Sequence, residues 1–95
     1  MSQPTPTTLP QRPKLNRLFR MQWEDVQGCH VLLYPEGMVK LNQSAAEILK
    51  RCDGQHSVAS LVAELESTFQ TTGLQAEVEA MLGEAQRRHW ILEAA

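Results

Sequence analysis

The sequence predicts a small α+β domain of the winged-helix type, in which a three-stranded antiparallel sheet is followed by three helices. Residues 17–41 contain alternating and apolar runs separated by turn residues, a pattern typical of strands. Residues 44–88 instead carry apolar residues at helical spacing, interrupted twice by glycine-containing breaks. A chain of 95 residues with 42% hydrophobic and 21% charged residues suits one domain of this kind.

Three strands are predicted before the helices. The first is RLFRMQW, residues 17–23, whose apolar face is formed by Phe19, Met21 and Trp23. The second is CHVLLY, residues 29–34, which is apolar on both sides, as in a central or doubly covered strand. Residues 34–37, Tyr-Pro-Glu-Gly, have turn chemistry and predict a hairpin with a bulged three-residue loop. The third strand then runs over residues 38–41.

The first helix begins just after the third strand. Ser44 and Glu47 are spaced as in a capping box, and Asn42 is an alternative cap. Gly54 suits the position that follows the end of this helix.

Two more helices are predicted in the second half of the chain. Ser57 caps the second helix, and residues 71–73 end it. The third helix runs from about Gln75 to Arg88, and residues 90–92 close over the core. The apolar face of the third helix consists of Val78, Met81, Leu82 and Ala85.

The N-terminal segment differs in composition from the rest. MSQPTPTTLPQRPK holds four of the five prolines and almost no apolar side chain. Because it cannot bury enough surface to offset ordering, residues 1–15 are predicted to be a disordered arm and residues 16–95 the folded domain. The start lacks the apolar region of a signal peptide, and no apolar run reaches the ~18 residues of a membrane span. We therefore expect a cytoplasmic protein with reduced cysteines and no membrane partner.

The residues give no indication of catalysis. Ser44 and Ser57 are explained as helix caps, and no activated-nucleophile pattern surrounds either of them. A metal site would have to combine the pair Cys29-His30 with Cys52 and His56. Adjacent strand residues point to opposite faces, and this spacing matches no usual zinc site. We expect a protein that is not an enzyme and that has no metal and no cofactor.

The third strand lacks a predicted partner on its far side, and such an edge is either shielded or used. An extended peptide could add to it as a further strand. A second copy of the chain could instead pair with it or exchange strands, giving a scaffold dimer with two-fold symmetry. In the simplest alternative, Val39 and Leu41 are core residues and Lys40 is a protective edge charge. The residues alone leave these interpretations open.

A winged-helix fold also raises the possibility of a DNA-binding module. Phosphate contacts by Lys and Arg dominate DNA affinity. The predicted second helix has no basic residue, and the third carries three glutamates before Arg87 and Arg88. Nucleic acid is therefore not the expected partner, although DNA binding remains the alternative from another functional class.

The segment HVLLYPEGMVKLNQSAAEILKRCDG, residues 30–54, closely resembles protein D of pyrroloquinoline quinone (PQQ) biosynthesis, the PqqD family. The likeness extends from about Arg17 to Leu92. It implies a winged-helix-like recognition element for ribosomally made peptides. It also implies a non-catalytic chaperone that binds the PqqA-like precursor peptide of the cofactor and presents it to a PqqE-like radical S-adenosylmethionine (SAM) enzyme.

The resemblance also implies a binding site. Members of the family take the peptide as an added strand on the third strand, against the third helix. Carried onto this sequence, the peptide-binding residues are Met38, Val39, Lys40, Leu41, Val78, Met81, Leu82 and Ala85. One departure from the family pattern is His89, which stands where a glycine is common.

Overall fold

Five strands and three helices make up the fold in a computed structural model that describes residues 9–94. Their bounds are β1 Pro13–Leu15, β2 Arg20–Glu24, β3 Cys29–Tyr34, β4 Gly37–Lys40, α1 Gln43–Lys50, α2 Val58–Thr68, α3 Gln75–Arg87 and β5 Ile91–Glu93. Within residues 9–94, no helix is long and apolar enough to cross a lipid bilayer.

The predicted three-stranded sheet followed by three helices is confirmed. Strands β2, β3 and β4 form an antiparallel meander with β3 in the centre. The predicted three-residue loop is wrong, because Tyr34 pairs directly with Gly37 and leaves a two-residue turn. The hairpin therefore fixes the register of β4 without a bulge.

A second, two-stranded sheet joins the two ends of the described chain. Strand β1 pairs with β5 so that Lys14 lies opposite Leu92. On its other side, the Leu15 N–H donates to the Cys52 carbonyl oxygen over 2.9 Å. The Gly54 N–H likewise donates to the Pro13 carbonyl oxygen over 3.0 Å. Strand β1 is thus held between β5 and the loop that follows α1.

The prediction of a disordered arm through residue 15 is wrong for its last residues. Pro13 is fully buried in β1, and Leu9 packs against the core. The Glu93 carboxylate accepts hydrogen bonds from the N–H groups of Gln11 at 2.6 Å and Arg12 at 3.1 Å. A three-residue strand carries too little pattern to be recognised when its partner lies at the far end of the chain. Residues 1–8, which carry the rest of this prediction, lie outside the described residues.

The observed helix caps agree in part with the caps predicted from the sequence. Asn42, not Ser44, caps α1, because its side-chain oxygen accepts the Ala45 N–H over 2.7 Å. The predicted cap at Ser57 is confirmed, since its hydroxyl accepts the Ser60 N–H over 3.0 Å.

Gly54 has a different role from the predicted one. Helix α1 ends at Lys50, so Gly54 lies well beyond its end. It has a φ of +80°, and a Cβ there would lie 3.1 Å from the Cβ of Ala94. Glycine is therefore favoured by its left-handed backbone and by the close packing of the C-terminal segment.

All three helices and both sheets contribute to one apolar core. Leu32, Leu61 and Leu82 are fully buried at its centre. Residues 90 and 91 close over it as predicted, whereas Leu92 is 48% exposed because it points to the opposite side of β5.

Candidate functional site

Strand β4 is one of the two edge strands of the three-stranded sheet among the described residues, and β2 is the other. The Leu41 N–H donates to the His30 carbonyl oxygen over 2.9 Å, which makes that pair hydrogen-bonded. Hydrogen-bonded and non-hydrogen-bonded pairs alternate along an antiparallel ladder. The backbone groups of Val39 therefore face β3, whereas those of Met38 and Lys40 point away from the sheet. These outward N–H and C=O groups of Met38 and Lys40 are called the free edge below.

Side chains of β4 alternate between the two sides of the sheet. Val39 lies opposite Leu32 and packs against the core, on the side where the helices lie. Met38 and Lys40 project from the other side, which we call the outer face. Met38 is 42% exposed, and Lys40 is also exposed. A strand added to the free edge would present alternate side chains to these two different environments.

The structure separates the eight residues of the predicted site into surface and core. Met38 and Lys40 are exposed, and Val39 and Met81 are partly buried. The other four belong to the core and present almost no surface: Leu41, Val78, Leu82 and Ala85. Val78, Leu82 and Ala85 face inwards because the apolar stripe of α3 packs in the core, and Leu41, which follows β4, belongs to the same core. Of the four α3 residues, only Met81 has surface that a peptide could contact.

A cleft of about 280 Å³ opens between the start of α1, the end of α2 and the start of α3. Its apolar walls are formed by Ile48, Leu65, Phe69 and Leu74. Gln43 also lines it, and this residue follows closely after β4. The sequence analysis did not identify the cleft, although Phe69 offered a signal. It ends the apolar stripe of α2 and is 45% exposed.

Charged side chains link α1 to α2. Arg51 bonds the Glu47 carboxylate at 2.9 Å and the Glu64 carboxylate at 2.8 Å. The Arg51 hydrogen bond is the main reason that the pKa of Glu47 is lowered. The pKa of Glu64 is also lowered, chiefly by its hydrogen bond with His56 at 2.7 Å. The network holds the two helices together, and its side chains are engaged in ion pairs with one another.

Two of the residues considered for a metal site, Cys52 and His56, are bonded to other groups. His56 bonds Asp53 and Glu64, and the buried Cys52 thiol donates to the Ile48 carbonyl oxygen over 3.4 Å. Burial raises the pKa of Cys52 to about 12. Cys29 is half-buried on the outer face. In residues 9–94, no three His, Cys, Asp or Glu side chains are grouped so that they could hold a metal ion.

The basic residues of α3 and its C-cap share one acidic partner within the protein. Arg87 bonds the Glu84 carboxylate at 2.6 Å, and Arg88 bonds the same carboxylate at 2.6 Å. DNA phosphates would have to compete with Glu84 for both cations. This arrangement weighs against α3 as a DNA-recognition helix.

Comparison with known proteins gives a consistent result. Residues 29–91 match the family model of coenzyme PQQ synthesis protein D (PqqD). The chain belongs to the PqqD family. One similar PqqD relative, the PqqA binding protein of Azotobacter vinelandii, is 54% identical over 86 residues, which cover 90% of this chain and 94% of the relative. The PqqA binding protein of Methylococcus capsulatus is 48% identical over 84% of this chain and 86% of its own length.

A solved PqqD structure has the same fold. It is the solution NMR structure of the PqqD truncation of Methylobacterium extorquens PqqCD, a functional and stand-alone recognition element for ribosomally synthesised, modified peptides. The two structures agree with a TM-score of 0.70 at 28% identity, and the match covers 93% of this chain and 98% of the other. The winged-helix-like α+β arrangement is therefore the arrangement of a PqqD recognition element.

Proposed function

We propose that this chain is a non-catalytic chaperone that binds the PqqA precursor peptide as an added strand on β4 and presents it to a radical SAM enzyme. The observation that carries the proposal is the free edge, where the backbone groups of Met38 and Lys40 point away from the sheet. Membership of a family whose relatives are named PqqA binding proteins supports PqqA as the peptide.

Backbone pairing would supply part of the affinity. Met38 and Lys40 each offer one N–H donor and one C=O acceptor to an added strand. Each such hydrogen bond contributes a net ~0.5–1.5 kcal/mol, which is too little for tight binding of a flexible peptide without apolar contacts.

Apolar contacts are available on the helix side of the sheet. Val39 and Met81 are both partly buried and pack against the core. The cleft lined by Phe69 and Leu74 has room for one large apolar side chain of a bound peptide. In this arrangement the backbone of β4 orients the peptide, and these surfaces select its side chains.

Replacing Met38 by proline tests the mode of binding. Met38→Pro removes a donor that points away from the sheet, and Met38→Ala is the matched control that shortens the side chain alone. Calorimetry with PqqA should show a loss of up to about tenfold in affinity for Met38→Pro relative to Met38→Ala, because one hydrogen bond to the added strand, worth ~0.5–1.5 kcal/mol, is lost. Val39→Pro does not serve this purpose, since the Val39 N–H belongs to the β3–β4 ladder.

An NMR titration locates the peptide independently. Saturable shifts of the amides of residues 38–40 support strand addition, whereas saturable shifts confined to other surfaces would overturn it. Sedimentation of the chain without peptide tests the self-pairing alternative. A dimer that dissociates when PqqA is added would show that a second copy competes for the same edge.

Presentation to the radical SAM enzyme requires a separate readout. Modification of PqqA by a PqqE-like enzyme should be faster with the wild-type chain than without it. Met38→Pro should lose this stimulation at peptide concentrations where Met38→Ala retains it. Equal stimulation by the two variants would show that the enzyme reaction does not depend on peptide binding at β4.

A further inference from the structure

Lys40 is a cation that lies at the free edge. The cations elsewhere on the helices and their flanking loops are engaged: Lys50, Arg51, His56, Arg87 and Arg88 each bond a carboxylate. Lys40 is exposed and forms no ion pair with any residue in the range 9–94.

The register shows that no acid of the sheet faces Lys40. Directly across the sheet from Lys40 on the outer face lie Val31 of β3 and then Gln22 of β2. The acid on this face, Glu24, lies on β2 opposite Cys29, and strand spacing places β2 about 10 Å from β4. The Glu24 carboxylate accepts the Val26 N–H over 3.2 Å. The position directly beside Lys40, on the outward side of β4, is therefore open to a carboxylate from another chain.

We infer that β4 selects a peptide strand with an acidic residue beside Lys40 and an apolar residue beside Val39. This inference rests on the proposed function, because it assumes that PqqA adds to β4. On an added strand, the residue next to Lys40 projects from the outer face, and its neighbour next to Val39 projects towards the core. Opposite charges directly across a strand pair are favourable, and like charges are unfavourable.

Lys40 in this way sets the register of the peptide. A slip by one residue would move the acidic side chain to the helix side of the sheet, beside the apolar Val39. Burying a carboxylate there without a partner is unfavourable. Arg20 projects from the same outer face, in the row that contains Met38, and adds positive potential of the same sign. A basic residue at the selected position would be repelled.

A charge exchange tests the inference. Lys40→Gln should weaken PqqA binding roughly threefold and Lys40→Glu roughly tenfold in calorimetry at low salt. The control is Lys14→Glu, which makes the same change in net charge at an exposed lysine of the other sheet. It should change the affinity less than twofold. PqqA variants with each acidic residue replaced in turn by lysine should include one that binds Lys40→Glu better than it binds the wild type.

The outcomes distinguish this inference from the proposed function. The inference is overturned if PqqA shifts the amides of residues 38–40 but Lys40→Glu and Lys14→Glu bind it equally. In that case Lys40 only protects the edge against self-association. The proposed function fails if PqqA leaves those amides unshifted in the wild type. If the lysine replacement restores binding to Lys40→Glu at only one acidic position of PqqA, the result supports both the inference and the proposed function.

Discussion

Asn16 and His89 lie 73 residues apart in the chain, and the Asn16 side-chain amide donates a hydrogen bond to the His89 carbonyl oxygen over 2.8 Å. The Asn16 side-chain oxygen accepts the Leu18 N–H over 3.0 Å, and the Asn16 backbone N–H donates to the Trp90 carbonyl oxygen over 2.7 Å. One buried polar residue thus joins the turn before β2 to the turn after α3.

Replacement of Asn16 should destabilise the fold clearly. Asn16→Ala leaves the His89 carbonyl and the Leu18 N–H without their partners in a part-buried site, so we expect a loss of about 2–3 kcal/mol in unfolding free energy. Asn16→Asp keeps the acceptor and removes the donor, and urea unfolding at pH 7 should show a similar loss. If Asn16→Asp is as stable as the wild type, the bond to His89 contributes little.

Replacing His89 by glycine should increase the stability of the fold. Its φ of +63° lies in the left-handed region, which is unfavourable for a residue with a Cβ. His89→Gly should raise the unfolding free energy by about 0.5–1 kcal/mol, after the greater freedom of the unfolded glycine chain is subtracted. His89→Ala is the control, since it keeps the Cβ. A gain with alanine equal to that with glycine would contradict a backbone origin.

Local patterns predicted the main elements of the fold and failed where the partner lies far along the chain. The strands β2 to β4 and the three helices were visible because their spacing and turn residues are local. Strand β1 was missed, since Pro13–Leu15 becomes a strand only through β5 and the loop containing Cys52 and Gly54. The cap at Asn42 stayed open for a local reason, because Ser44 fits a capping motif equally well in sequence.

The candidate site was predicted only at the level of elements. Sequence placed β4 at an edge, but the division of its residues between the free edge and the ladder required the pairing of Leu41 with His30. For α3, an apolar stripe identifies a buried face and does not indicate which member lies at its margin. Met81 and Leu82 are adjacent in sequence, yet only Leu82 is fully buried.

Met81 and Leu82 therefore offer a test that separates binding from folding. Leu82→Ala opens a cavity in the core and should lower the unfolding free energy by about 2–5 kcal/mol. Met81→Ala should cost about 1 kcal/mol or less, because its side chain is already partly exposed, and should weaken PqqA binding severalfold. Urea unfolding and calorimetry measure the two effects. Unchanged PqqA affinity in Met81→Ala would remove α3 from the site.

The two cysteines should react at very different rates. Cys52 is 4% exposed, and burial raises the pKa of its thiol to about 12, so its thiolate is scarce at neutral pH. Cys29 is half-buried on the outer face of the sheet. A thiol reagent at pH 8 should modify Cys29 first and Cys52 only on unfolding, and Cys29→Ser should abolish the fast phase. Fast modification of the Cys29→Ser variant would show that the segment around Cys52 opens readily.

The pH dependence of stability should reveal the contribution of the charged His56 side chain. Hydrogen bonds to Asp53 at 3.1 Å and Glu64 at 2.7 Å favour its charged form, so its pKa is raised above the usual 6.5. A raised folded pKa stabilises the protein below the unfolded pKa, and the contribution disappears as the pH rises through the folded pKa.

His56→Gln isolates this contribution. Urea unfolding should show the wild type more stable than His56→Gln by up to about 1 kcal/mol at pH 5.5, with a smaller difference at pH 8.5, because the pair is partly exposed to solvent. The pH should stay above 5, since the lowered pKa values of Asp53 and Glu64 keep both carboxylates charged there. His89→Gln is the control, because that imidazole forms no ion pair within residues 9–94. A difference of the same size at both pH values would mean that His56 stabilises the loop by packing and not by charge.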